Sequence, residues 1–133
     1  MADTGLTTVP SSHAVKDTID RLEADVKRKG MTVFARIDHA QGARDAGLAL
    51  RPTELLIFGN AKGGTPLMQD RQTAGIDLPI KALAWQDADG KVWLTCNDMA
   101  WIAKRHGLGP ASAQAVKAIA DGVGAAAKAA TTA

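Results

Sequence analysis

The sequence is short of the residues that most often carry covalent or metal chemistry. It holds one cysteine, Cys96, in 133 residues, which excludes an internal disulfide and is consistent with a reducing compartment. Tyrosine is absent and only two phenylalanines occur. Of the three histidines, His13 and His39 lie on separate predicted elements without the paired spacing of a zinc site. No apolar run approaches the roughly 18 residues of a membrane span. The start, MADTGLTTVP, has no basic segment followed by an apolar one, so no secretory signal is expected. A soluble, cytoplasmic protein is the resulting expectation. Charge of one sign is also scarce. Sixteen Lys and Arg against fourteen Asp and Glu leave a net +2, scattered along the chain, which argues against a general nucleic-acid binder. The densest basic cluster, Lys27, Arg28 and Lys29, closes a predicted helix and complements its dipole.

What remains is ordinary globular material, 46% hydrophobic and 23% charged, enough for one domain around one core. Val15, Ile19, Leu22 and Val26 recur at helical spacing, with Ser11 or Ser12 as N-cap and Gly30 as terminator. LTTVP before this helix and MTVFARID after it read as strands, the second with Val33, Ala35 and Ile37 on one face. HAQGARD reads as a loop or short helical turn, and TELLIFGN as a buried strand. Thr65 and Pro66 can open one helix turn. Two alternating runs around DADG form a hairpin, with Leu83 and Trp85 expected toward the core. Asn97 or Asp98 caps a helix ended by Gly107, and a last helix runs from Ser112 to about Ala120. The order β-α-β-β-β-β-α, with an extra C-terminal helix, implies an α+β two-layer sandwich: a mainly antiparallel sheet of about five strands, helices on one face. The expected organisation is a flexible start over 1–5, a single α+β domain over 6–109, a C-terminal helix over 110–127 packed on or extending it, and a frayed tail over 128–133.

PTELLIFGN, GTPLM, GIDLPIKALAW and DGKVWLTCND, followed by RHG, together resemble the domain-of-unknown-function 302 family across roughly Thr7 to Leu108. The resemblance implies a compact α+β domain similar to one half of the TATA-binding-protein-like fold, often a homodimer, with no established activity. DNA binding does not follow from such a fold. Where relatives commonly carry tyrosine, this chain has Cys96 before Asn97 and Asp98, so a role that depends on the phenol is in question.

RPTELLIFGNAKGGTPLM raises a phosphate-loop reading. Gly59 and Gly64 have the right spacing, but Thr65 and Pro66 occupy the Lys and Ser/Thr positions, and that reading fails. A looser anion nest stands beside the plainer view of a strand end and a turn whose glycines permit positive φ. Asp77, between Ile76 and Leu78, is either a general base of raised pKa or a carboxylate that accepts backbone hydrogen bonds. Phe58, Gly59, Asn60, Asp77, Pro79 and Asn97 are the candidate ligand-binding residues, with Asn60, Asp77 and Asn97 expected to converge at one sheet end. The catalytic candidates are Cys96 or Asp77 with a histidine, His39 first among them. Cys96, Met99 and His106 are soft-metal candidates, for copper(I) or heme. About 10 Å of helix rise between Met99 and His106 opposes one mononuclear site, and no cofactor is expected. A sheet face carrying Trp93 and Phe34 is expected to be covered by a second subunit. The function that follows is a homodimeric small-ligand-binding or interaction module; an enzyme and a soft-metal or heme carrier are the alternatives.

Overall fold

The computed structural model describes residues 4–133. Five strands, β1 (Leu6–Ser11), β2 (Thr32–Asp38), β3 (Thr53–Gly59), β4 (Ile80–Gln86) and β5 (Val92–Asn97), form one sheet in the order β1-β5-β4-β3-β2, antiparallel throughout. Helices α1 (Val15–Arg28), α2 (His39–Asp45), α3 (Ala61–Asp70), α4 (Met99–His106) and α5 (Ala113–Thr131) complete the fold, with a 3-10 helix over Gln72–Asp77. The α+β sandwich read from the sequence is the observed architecture.

α1 and α5 cover one face of the sheet. Ile19, Leu22 and Val26 of α1, each 0–1% exposed, meet Leu56, Phe58, Ala82, Ala84 and Leu94 from the central strands. Ala126 and Ala130 of α5 close the same core. The burial of α1 follows from its apolar stripe at every third or fourth residue. Its N-cap is Ala14 rather than a serine; Ser11 stays in β1 and bonds Thr18 Oγ1 at 2.7 Å.

Several local expectations change. Leu83 and Trp85 face away from the helices, and the small Ala82 and Ala84 face them, because α1 lies close over the sheet centre. Trp85 therefore shares the open face with Trp93, stacked at 6.3 Å between ring centroids. A β-bulge between Val33 and Ala35 splits the expected face of β2: Val33 pairs with core-facing Phe58, while Ala35 and Ile37 pair with Ile57 and Leu55 on the open side. α3 starts at Ala61, earlier than the turn expected at Thr65, because Asn60 caps it through Lys62 N–H at 2.7 Å. α5 does not stop near Ala120, and residues 128–131, expected to fray, continue it. Ala130 and Thr131 are buried, and Thr131 C=O accepts from Ser12 N–H at 2.8 Å. Residues 1–3 of the expected flexible start lie outside the described residues. Gly5 is fixed: it is buried, with φ +73°, and a Cβ there would lie 2.5 Å from Trp101 Cδ2.

Candidate ligand cleft

A cleft of about 430 Å³ opens where the end of β3 runs into α3. That is inside the ~300–1,000 Å³ range of small-molecule sites. Phe58 ends the buried stripe of β3, and Gly59 and Asn60 turn the chain into α3. The far wall is built after the 3-10 helix, where the cis Leu78–Pro79 bond leads into Ile80 of β4. α5 supplies the third side through Ile119, Gly122 and Val123.

The glycines of GNAKGG are not there for positive φ; Gly59, Gly63 and Gly64 all avoid that region. They permit close approach instead. A Cβ on Gly63 would lie 3.3 Å from Ile119 Cγ1, and one on Gly64 would lie 3.7 Å from Leu78 Cδ1. The loop expected between strand and turn is thus the first part of a helix that leans on α5.

Among the described residues, Lys29, Asn60 and Thr65 are the only polar side chains on a lining otherwise made of apolar residues and glycine. Lys29 Nζ lies 2.8 Å from Asp25 Oδ2, and Arg28 donates to Asp25 Oδ1 at 2.7 Å. Burial alone raises the Asp25 pKa, but the bonds from Lys29 and Arg28 outweigh it and hold the carboxyl below its ordinary value.

Four of the six expected ligand residues, Phe58, Gly59, Asn60 and Pro79, line the cleft; Asp77 and Asn97 do not. Asn97 Oδ1 accepts from Lys81 N–H at 2.8 Å and so ties the start of β4 to the end of β5. Asp77 accepts from His106 Nε2 at 2.6 Å and from Arg105 at 3.1 and 3.2 Å. A carboxylate can only accept, so His106 Nε2 carries the proton. The other nitrogen, Nδ1, lies 3.2 Å from Thr73 Oγ1. This chain of bonds clamps α4 to the 3-10 helix beside the cleft wall.

Cys96 is not the activated nucleophile that a helix start would give. It sits on the core face of β5, and burial pushes its thiol up to about 12. Each histidine is placed elsewhere: His13 bonds Thr132 C=O at 2.7 Å, His39 is exposed at the start of α2, and His106 holds Asp77. Cys96 and Met99 border a smaller pocket of about 160 Å³ that His106 does not line, so the three soft-metal candidates do not converge. Phe34 is 56% exposed and borders the main cleft on β2, with β3 and β4 between it and the β5 strand of Trp93, with which it was expected to share a surface.

Sequence reasoning missed the α5 side of the cleft. Gly122 lies beyond the helix end expected near Ala120, inside the observed α5. Nothing local in the sequence pairs residue 119 with residue 63.

The fold and cleft define a single-sheet α+β domain with an apolar ligand-sized opening beside its central strands. Residues 7–127 match the family described as Domain of unknown function DUF302, and the chain belongs to that family. The match also takes in residues 110–127, beyond the Thr7 to Leu108 span of the resemblance read from the sequence. A crystal structure of an uncharacterized conserved DUF302 protein from Bacillus stearothermophilus superposes with a TM-score of 0.83 at 20% identity. It covers 96% of this chain and 99% of that one, and at this identity it speaks for the fold alone. Among curated proteins, the chain is 59% identical over 122 residues to "Fluoride-specific ion channel FluC 1" of Brucella suis biovar 1 (strain 1330). It is equally similar to "Fluoride-specific ion channel FluC 2" of Brucella melitensis biotype 1 (strain ATCC 23456 / CCUG 17765 / NCTC 10094 / 16M). The matches take in 92% of this chain but 48% and 45% of those proteins, so the chain spans about half the length of the curated relatives it matches. No helix among the described residues is long and apolar enough to cross a membrane.

Proposed function

We propose that the protein is a small-ligand-binding module whose cleft between β3, α3 and α5 takes an apolar molecule. The observation that carries this reading is the cleft itself: about 430 Å³, walled by Phe58, Leu78, Pro79 and Ile119, with glycines on two helices turned toward the opening. Apolar walls with few polar groups are the usual build of such sites. Channel activity, which the curated relatives' names state of proteins about twice as long, is not part of this reading. The enzyme alternative loses Cys96 to burial. The Asp77–His106–Thr73 chain reads as a clamp, since the His106 side chain is only 7% exposed and both its ring nitrogens are engaged. The test is binding of an apolar fluorescent probe. Ile119→Trp fills the cleft and is expected to abolish binding while leaving the circular dichroism spectrum and cooperative melt intact. Unchanged probe binding by a folded Ile119→Trp variant would overturn the reading.

A second reading concerns assembly. The sheet face away from the helices presents Leu6, 53% exposed, and Ile37, 40% exposed, with half-buried Leu55, Ile57, Trp85 and Trp93 between them. Among its strand residues only Lys81 is charged. A two-fold dimer places the same face against itself, and a nearly uncharged apolar face meets that requirement without like-charge repulsion. The module is therefore proposed to work as a homodimer through this face. Sedimentation of the protein beside an Ile37→Asp variant tests it: the parent sediments as a dimer and the variant as a monomer, and a monomeric parent contradicts it.

A further inference from the structure

We infer that the cleft's ligand is a monoanionic amphiphile: an apolar body in the cleft and one negative head, such as a carboxylate, at Lys29. The inference rests on the reading of the cleft as a ligand site. Among the described residues, Lys29 is the only ionisable side chain on the lining, and no acidic side chain joins it. Its charge is only partly offset. Arg28 and Lys29 share the single carboxylate of Asp25, one on each oxygen, so the group carries one positive charge in excess. Nearby Lys27 pairs with Glu23 at 3.7 Å and leaves Asp25 to the other two.

This arrangement leaves Asp25 one cation when Lys29 turns to a ligand, at the cost of uncovering its buried Oδ2. Asp25 is 7% exposed and needs a cationic partner, but Arg28 stays on Oδ1 when the Lys29 ammonium turns to an anionic head. Lys29 itself is 31% exposed and sits in the α1 C-cap just before β2 begins. There its aliphatic stem can lie along apolar surface while the ammonium faces the opening. Thr32 of β2 pairs with Gly59, so Lys29 and the start of α3 lie toward the same corner of the sheet. The positive end of α3 adds to the field at that corner. A neutral amphiphile gains only the apolar contacts. A cationic one meets like charge.

The experiment is calorimetric titration with octanoate, octanol and octylamine, which share one apolar chain and differ in the head. Octanoate is expected to bind about tenfold or more tighter than octanol, in line with a charge-assisted bond, and octylamine more weakly than either. Lys29→Met is expected to bring octanoate down to the octanol value and leave octanol unchanged; Lys29→Arg is expected to retain the preference. Equal affinities for octanoate and octanol, or a preference for octylamine, would overturn the inference and leave the apolar site standing. Binding of none of the three would bring down the ligand-site reading and this inference with it.

Discussion

Gly122 offers a direct way to separate what the cleft contributes from what the fold needs. It lies within α5 and is half-buried, where glycine costs about 0.5–1 kcal/mol relative to alanine through backbone entropy. A Cβ at Gly122 would meet nothing nearer than Met31 Cε at 4.0 Å, so Gly122→Ala is strain-free. Its full helical gain should appear as stability. With an unfolding entropy of roughly 2.1 cal/mol/K per residue over this length, that is a rise of about 2–4 °C in Tm. The added methyl projects into the cleft and takes room for about one methylene of ligand. At about 0.8 kcal/mol per methylene, affinity for an apolar ligand falls about fourfold. Gly124→Ala is the control: its Cβ would meet nothing within 4 Å, and Gly124 does not line the main cleft. It should stabilise equally and leave affinity unchanged. Calorimetric melts and probe titrations of both variants read the two effects separately. Destabilisation by Gly122→Ala, or equal affinity losses in both variants, would refute the reasoning.

Native Cys96 should alkylate very slowly at neutral pH, since its thiol is pushed up to about 12 by burial, and rapidly in denaturant; timed iodoacetamide labelling followed by mass spectrometry checks this. Gly5→Ala should cost more than about 1 kcal/mol from its left-handed backbone alone, with the contact to Trp101 adding to that, read in urea unfolding. Asp25 has its pKa depressed in the fold, so its contribution is present above the unfolded value of about 3.9 and is lost as pH falls through the folded value. Asp25→Asn should therefore be less stable at pH 7 and show a shallower loss of stability on acidification, measured by urea melts across that range. His106→Ala removes the clamp on the 3-10 helix and should lower both Tm and probe affinity, whereas a catalytic histidine would leave Tm nearly unchanged.

How much of this was legible in the sequence depended on how local each signal was. α1 was readable because Val15, Ile19, Leu22 and Val26 spell its buried stripe. The β4–β5 hairpin was readable because alternation and Gly90 are local features. Which face of β4 turns inward was not. Alternation separates Ala82 and Ala84 from Leu83 and Trp85, but only the closeness of α1 selects the small residues for the core. α3 was hidden by Gly63, Gly64 and Pro66, all poor helix residues, and depends on the Asn60 cap and on packing against α5. The C-terminal alanines were read as fraying, although alanine is the strongest helix former and the sheet gives them a surface to bury. For the cleft, Phe58, Gly59, Asn60 and Pro79 were found because strand ends collect at one side of a sheet. Asp77 does not line it, because its carboxylate accepts from donors on α4 that lie 28 and 29 residues further along the chain.

The central claim is that a ligand enters between β3, α3 and α5, and methyl-resolved NMR tests it most directly. On titration with octanoate, the account expects the methyl signals of Leu78, Ile80, Ile119 and Val123 to shift together and saturably, while Leu6, Ile37 and Leu55 on the open sheet face stay fixed. Saturable shifts confined to the open sheet face, or none at the four cleft residues, would contradict it.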